Sequence, residues 1–177
     1  AGPELRAVHV DHGLRPSSSN DADQVAARCD TWGIPCEIVR VDVSSWDAIL
    51  KQGTESAARH ARYAALANAA IDAGSDTIVT GHTLDDQVET VLLKLISGTG
   101  LEGVSAMSQL SRRPIPLSPG SKAVRRLALF RPLLSISREQ VEQYAAEHEI
   151  VPIEDETNLL TIYRRNEIRQ TVVPALA

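Results

Sequence analysis

Three carboxylates crowd one short stretch, Gly81-His82-Thr83-Leu84-Asp85-Asp86-Gln87-Val88-Glu89-Thr90. Asp86 and Glu89 are three residues apart, and Asp85 and Glu89 are four apart, so on a helix they can share one face. Such a group can hold an ammonium or a cation. It can equally complement the partial positive charge of a helix start as solvated acids. Before it, Asp76-Thr77-Ile78-Val79-Thr80 is a β-branched run that reads as a buried strand. After it, Leu84, Val88, Val91, Leu92 and Leu95 recur at helical spacing. Gly81 is placed to turn the chain sharply between the two. Thr83 followed three residues later by Asp86 resembles a capping box. A strand, a glycine turn and a helix N-terminus make the anion-binding corner of an α/β sheet.

The elements that would position this corner alternate along the chain. Leu5 to Asp11 reads as a strand that leaves the sheet at His12-Gly13. Asn20 to Trp32 is a helix ended by Gly33, with Val25, Ala26 and Cys29 on its inner face. Cys36 to Val41 is the next strand. Residues 44–53 form a connection with some helical character, and Thr54 to Ala73 is an alanine-rich helix stopped by Gly74. This order predicts βαβ units and a mostly parallel sheet flanked by helices, with active residues at the carboxyl ends of the strands. Asp11-His12 and Gly81-His82 both stand at such ends. Glu55 and Arg59 are expected to form an i,i+4 salt bridge on a wet face.

From Gly103 to Ser137 there is no acidic residue, while Arg112, Arg113, Lys122, Arg125, Arg126 and Arg131 all fall there. Pro114, Pro116, Pro119 and Gly120 predict a loop, followed by a strand at Leu127 to Phe130. The basic stretch reads either as a solvated loop or as a contact for RNA phosphates. Ser137 and Gln140 cap a helix running to about His148.

Composition bounds the rest. A chain of 177 residues is one domain by length and can bury a real core. Aromatics make up 3%, so base stacking on an aromatic platform is not its main chemistry. The net charge of −5 excludes a uniformly nucleic-acid-coated surface but not a local basic face. Cys29 and Cys36 make no CxxC pair, which argues for packing residues in a reducing compartment. No apolar run is long enough to span a membrane, and no signal peptide is visible. A cytoplasmic protein is expected.

These pieces resemble the N-terminal catalytic domain of the tRNA(Ile)-lysidine synthetase family, within the PP-loop ATP pyrophosphatase superfamily. The resemblance is carried by Val8 to Arg15, Glu55 to Tyr63, Gly81 to Thr90, Gly98 to Gly103, Arg131 to Leu134, and Glu154 to Asn158 continuing through Tyr163-Arg164-Arg165-Asn166. Six segments occur in the family's order and cover nearly the whole chain. The family's Ser-Gly-Gly-x-Asp-Ser phosphate loop belongs before the first strand and is not in this sequence, nor are the C-terminal tRNA-binding domains. Thr83 stands where many members carry a second histidine. The resemblance therefore implies a fragment: 1–177 as a single, N-terminally incomplete PP-loop catalytic domain, with 103–177 its basic and helical C-terminal part.

The resemblance implies that ATP adenylates the wobble cytidine of isoleucine tRNA and that free lysine then displaces AMP, with Mg²⁺ on the triphosphate. It places the main chain of Val8, His9 and Val10, together with Gly81, at the nucleotide. Asp86 and Glu89 are the candidates for the ammonium groups of lysine. Asp85 is expected to orient a neighbour or help hold Mg²⁺. Arg62, His82 and Arg165 are the further catalytic candidates, Arg164, Arg165 and Arg169 belonging to one family motif of which Arg165 is expected to face the site, although a histidine at a strand end is equally often structural. Arg112, Arg113, Arg125 and Arg126 are the tRNA contacts. The expected partners are isoleucine tRNA and free lysine, with no membrane, and a homodimer is a possible assembly. Rival readings are another PP-loop activity, such as tRNA thiolation or amide formation, and a non-catalytic nucleotide- or tRNA-binding module. Thiolation members generally carry catalytic cysteines or CxxC metal sites, which Cys29 and Cys36 do not match.

Backbone N–H groups of a glycine-rich loop hold the phosphates in this architecture. Gly98-Thr99-Gly100 follows a helix and does not open one. The chain alone is accordingly expected to make no lysidine. Incubation with ATP, Mg²⁺, lysine and isoleucine tRNA should release no AMP or pyrophosphate, and tRNA-dependent release of both would overturn the expectation.

Overall fold

A computed structural model describes residues 4–15, 17–98, 105–153 and 164–176. The motif residues 99–103 and 154–163 lie outside the described set. The chain divides into two compact units, Ala1–Ile78 with Arg112–Ala128, and Val79–Ser111 with Leu129–Ala177.

In the first unit, β1 (Ala7–Asp11) and β2 (Cys36–Arg40) pair in parallel, in register from Ala7 opposite Cys36 to Asp11 opposite Arg40. α1 (Ser18–Thr31) makes the connection that a parallel pair requires. It buries Ala22 and Cys29, while Val25 and Ala26 are half-buried. Its last turn closes with Gly33 N–H donating to Asp30 O and Ile34 N–H to Cys29 O, Gly33 taking the left-handed conformation at φ 66°. The stretch at 44–53 is more regular than its sequence suggests. α2 (Val43–Leu50) packs Val43 and Trp46 onto α3 (Thr54–Asp72) at Ala57, Ala61 and Ala64. Alanines at these positions let the two backbones approach closely, and Trp46 also stacks on His60 at 6.1 Å between ring centroids.

The remaining strands, β3 (Thr77–Val79), β4 (Leu110–Pro116) and β5 (Val124–Phe130), form a sheet in the order β3-β5-β4. β3 and β5 run parallel: Ala128 N–H donates to Asp76 O and Thr80 N–H to Phe130 O, advancing together along both chains. β4 and β5 are an antiparallel hairpin, bonded from Leu117 N–H to Ala123 O at one end and Arg131 N–H to Gln109 O at the other. The sheet expected from the sequence is thus present, among the described residues, as two ladders with one antiparallel strand. The loop predicted at Pro114 and Pro116 is corrected to strand β4. Proline removes a ladder donor and is excluded from central strands, but β4 lies at the sheet edge, where one side needs no partner. Leu127, Ala128 and Leu129 of central β5 are buried in succession, as a strand covered on both faces must be.

In the second unit, α4 (Leu84–Ile96) follows β3, and α5 (Arg138–Glu147) opens with the expected box: Gln140 N–H donates to Ser137 Oγ at 3.2 Å and Ser137 N–H to Gln140 Oε1 at 2.9 Å. Arg131, read from sequence as part of the basic stretch, is buried at the base of the hairpin. Its Nη1 donates to Ser108 O at 2.9 Å and Ser111 Oγ at 3.1 Å. The helical run ends the chain as α6 (Arg164–Glu167), a π turn (Ile168–Val172) and α7 (Val173–Leu176), with Ile168 as its buried anchor.

Asp42 caps α2. Its carboxylate accepts from the hydroxyls of Ser44 and Ser45 at 2.6 and 2.5 Å and from their backbone N–H groups at 3.0 and 3.3 Å. These bonds, the Ser44 hydroxyl foremost, hold its carboxyl down at about 2 against an ordinary 3.8. A depressed folded-state value stabilises above the unfolded one and is lost as pH falls through the folded one. Asp42→Ala should therefore lower the unfolding temperature by a constant amount above about pH 5, and the gap should close between about pH 4 and pH 2. Thermal unfolding followed across that range checks it.

Candidate functional site

α4 begins where the sequence places it, at the carboxyl end of β3. Asp86 Oδ2 accepts from Thr83 N–H at 2.7 Å and from Thr83 Oγ1 at 3.1 Å, the capping box expected from the Thr83–Asp86 spacing. Gly81 is not in the left-handed region, and a Cβ there would meet nothing within 4 Å. The turn does not require glycine, which corrects the expected role of Gly81. His82 Nδ1 lies 2.8 Å from Thr80 Oγ1, tying the histidine to the strand it follows.

The expected helical periodicity is present, with Val91 and Leu92 half-buried. Leu84, Val88 and Leu95 are exposed, and the buried residue of α4 is Glu89, with a side chain only 2% exposed. Two arginines of the final helical run compensate it. Arg165 donates Nε to Glu89 Oε2 at 2.5 Å and Nη2 to Asp86 Oδ1 at 2.6 Å. Arg169 donates Nε to Glu89 Oε1 at 2.6 Å, with its Nη2 4.0 Å from Asp86 Oδ1. Two negative charges meet two positive ones. Burial alone would lower the pKa of Arg169, but its bonds to Glu89 and the nearby acids raise it instead. The site joins Asp86, Glu89 and Arg165 with Arg169, which the sequence named only as a member of the same motif; its i,i+4 spacing from Arg165 puts the two on one face.

Asp85 turns elsewhere. Its Oδ2 accepts from Arg138 N–H at 2.7 Å, the first N–H group of α5. Among the described residues, no group of three or more His, Cys, Asp or Glu side chains is placed to hold a metal. Mg²⁺ commonly takes only one or two carboxylates besides phosphate oxygens, and Asp85 Oδ1 is outside the Arg138 bond. The Asp85 carboxylate fits such an ion through that one oxygen.

In the first unit, the ladder divides Val8, His9 and Val10. Ala7 N–H donates to Pro35 O and Asp11 O accepts from Val41 N–H, so by the period of two His9 also turns its main chain to β2. His9 thus has its main chain on the β2 side of the strand. Val8 and Val10 turn their main-chain groups to the other edge. Asp11 is buried. Gly13 N–H donates to its Oδ1 at 2.8 Å, and this bond leads the causes that lower its pKa. Gly13, at φ 60°, is required there, since a Cβ would also come within 3.2 Å of Arg40 Nη2. Arg62 lies 5.9 Å from the Tyr63 ring centroid, and its charge, after burial, lowers the pKa of His12. Among the described residues no ion pair joins Glu55 to Arg59. Arg59 lies over Tyr63 at 5.2 Å, because the aromatic face at i+4 takes the guanidinium.

The four arginines proposed for tRNA are all exposed, Arg112 and Arg113 on β4 and Arg125 and Arg126 on β5. Neighbours on a strand point to opposite faces, so the hairpin carries charge on both sides. Arg112 lies 3.9 Å from Asp76, a loose exposed pair.

Comparison with known proteins adds a decisive observation. The PP-loop domain model matches residues 1–176. The chain belongs to the PP-loop domain family. Among its relatives, the tRNA(Ile)-lysidine synthase of Dehalococcoides mccartyi is 38% identical over 99% of this chain and 36% of the relative. That of Chromobacterium violaceum is 39% identical over 97% of this chain and 36% of the relative. The chain thus spans little more than a third of the length of the curated relatives it matches. The U34-tRNA thiolase NcsA of Methanococcus maripaludis superimposes with a TM-score of 0.63 over 97% of this chain and 57% of the other, at 17% identity. It shares the α/β fold of this PP-loop domain. No helix among the described residues is long and apolar enough to cross a membrane.

Within this PP-loop domain, Glu89 is where a small change should be felt most. Glu89→Gln leaves two guanidinium groups facing a neutral amide. A loss of about 3 kcal/mol is expected, the low end for a broken buried pair because Arg165 and Arg169 keep some access to water. Val88→Ala, on the exposed side of the same helix, should cost under about 0.5 kcal/mol. Urea denaturation of both variants checks the contrast.

Proposed function

We propose that this chain is the catalytic PP-loop portion of a tRNA(Ile)-lysidine synthase, which uses ATP to join free lysine to the wobble cytidine of isoleucine tRNA. The observation that carries this reading is 38% identity along 99% of the chain with a protein of that name. The four-charge cluster on α4 supplies matching chemistry. Lysine brings an ammonium and a carboxylate at one end and a nucleophilic amine at the other. Of the two acids assigned to its ammonium, Asp86 keeps access to water and Glu89 is held behind it by Arg165 and Arg169.

The first step adenylates the cytidine 2-carbonyl oxygen, with pyrophosphate leaving. The second displaces AMP by the ε-amine, which attacks as a neutral group and so must be held in line and unprotonated. In this reading Val8 and Val10 offer main-chain groups to the adenine edge, and Gly81 leaves room at the start of α4. Arg62 meets phosphate or carboxylate, and His82 is fixed through Thr80 at the end of β3. Mg²⁺, when bound with ATP, supplies charge neutralisation on the triphosphate, and Asp85 is the carboxylate suited to it. Arg112, Arg113, Arg125 and Arg126 contact the tRNA backbone, an interaction that weakens with salt. A role on tRNA in bacteria-like relatives is a cytoplasmic one.

Asp86→Asn in the full-length enzyme tests the assignment without emptying the buried position. The KM for lysine should rise on the order of tenfold to a hundredfold while that for ATP is unchanged. Unchanged use of lysine in steady-state assays would refute the placement of lysine at α4.

A further inference from the structure

The ladder of the basic hairpin sorts its arginines. Leu117 N–H donates to Ala123 O near the tip, and Arg131 N–H to Gln109 O at the base. These two bonds fix one register along the ribbon: Arg112 lies opposite Ala128, Arg113 opposite Leu127, Pro114 opposite Arg126 and Ile115 opposite Arg125. Pro114 and Pro116 fall at its non-hydrogen-bonded positions, where β5 needs no N–H from them. Opposite residues share a face, as do residues two apart on one strand. One face therefore carries Arg113, Ile115, Arg125 and Leu127, and it is turned to the protein, since Ile115 and Leu127 are buried. The other carries Arg112, Pro114, Val124 and Arg126, all exposed. On this open face Arg112 and Arg126 are diagonal neighbours, about 7 Å apart at their first side-chain carbons by ladder geometry. Arg126 makes no ion pair among the described residues, and Arg112 makes only the loose one to Asp76 at 3.9 Å. The tip is fixed in place. Asn68 of α3 donates Nδ2 to Leu117 O at 3.2 Å, and a Cβ on Gly120 would lie 3.6 Å from Ile49 Cδ1 of α2. That contact brings the exposed Lys122 to the end of α2, which the exposed Lys51 closes.

We propose that the open face of the hairpin, from Arg112 and Arg126 over the tip to Lys122 and Lys51, is a docking surface for the sugar-phosphate backbone of a base-paired RNA stem. This rests on the tRNA reading above and divides it. Arg112 and Arg126 carry the contact, while Arg113 and Arg125, on the face turned to the core, add little. Cations on a ribbon anchored at its tip meet phosphates with little left to order on binding. Between Arg112 and the tip the open face holds no aromatic ring on which an unpaired base could stack. It therefore holds duplex by charge and shape, and holds different sequences alike.

The test titrates this chain with isoleucine tRNA, two RNA duplexes of unrelated sequence and an oligouridine, each between about 50 and 200 mM salt. The two duplexes should bind alike, and both more tightly than oligouridine. Arg112→Gln and Arg126→Gln should each flatten the dependence of log K on log salt by about one for tRNA and duplex, and so should Lys51→Gln combined with Lys122→Gln. Arg113→Gln and Arg125→Gln should change it by less than about half as much. Unfolding temperatures of all variants exclude a general loss of structure. Binding of tRNA with equal losses at all four arginines, or tighter binding of oligouridine than of duplex, would overturn the surface while leaving the tRNA reading standing. Binding of no RNA would overturn the surface together with the assignment of the hairpin to tRNA. Tighter binding to phosphatidylserine vesicles than to either duplex would assign the face to a membrane and overturn the proposal.

Discussion

A carboxylate taken out of water is the constraint on which the second unit depends. Glu89 is nearly inaccessible, and an unpaired charge there would be costly enough to reverse the burial. Two guanidinium groups make it tolerable. They must come from a segment some eighty residues later in the chain, so Arg165 and Arg169 tie the final helical run to α4. Asp86 completes the arrangement from both directions: one oxygen caps its own helix and the other meets Arg165. The start of α4, the aim of the π turn and the charge of the site are therefore one problem with one solution.

The same constraint shows in the burial of α4. A surface helix ordinarily turns its apolar stripe inward. Here Val91 and Leu92 are half-buried and the most buried residue is an acid. The bonds to Arg165 and Arg169 offset the desolvation of Glu89, and a paired buried charge of this kind specifies geometry more than it adds stability. Specific geometry is what a site for a small charged substrate requires, because orienting the substrate contributes directly to rate.

The first unit uses other means. Close approach of α2 to the alanine face of α3 makes its core. The parallel ladder of β1 and β2 fixes by parity which main-chain groups are committed to it and which turn to the other edge. At the end of β1, the buried Asp11 holds Gly13 through its Oδ1, a local turn that shapes the loop. The basic hairpin is built on a further rule. Its prolines are admitted by the edge position of β4, and its arginines are exposed on both faces.

What the sequence determined by itself was local. Apolar periodicity, the Thr83–Asp86 and Ser137–Gln140 caps, and the glycines at helix ends depend on residues within one or two turns of each other. The elements they predict are those found, with shifts at their boundaries. The motif order also sufficed to place the chain among PP-loop domains, and the spacing of Asp86 and Glu89 sufficed to group them. Tertiary structure alone decided which of these groups remain available. Strand order turned a proline-rich loop into edge strand β4. The ladder turned the main chain of His9 toward β2, and the Tyr63 ring took Arg59 from Glu55. Most of all, no local pattern reveals that Glu89 is buried against Arg165 and Arg169. Burial and counter-charge are properties of what the rest of the chain brings to a position, and spacing along one helix records only what that helix can offer.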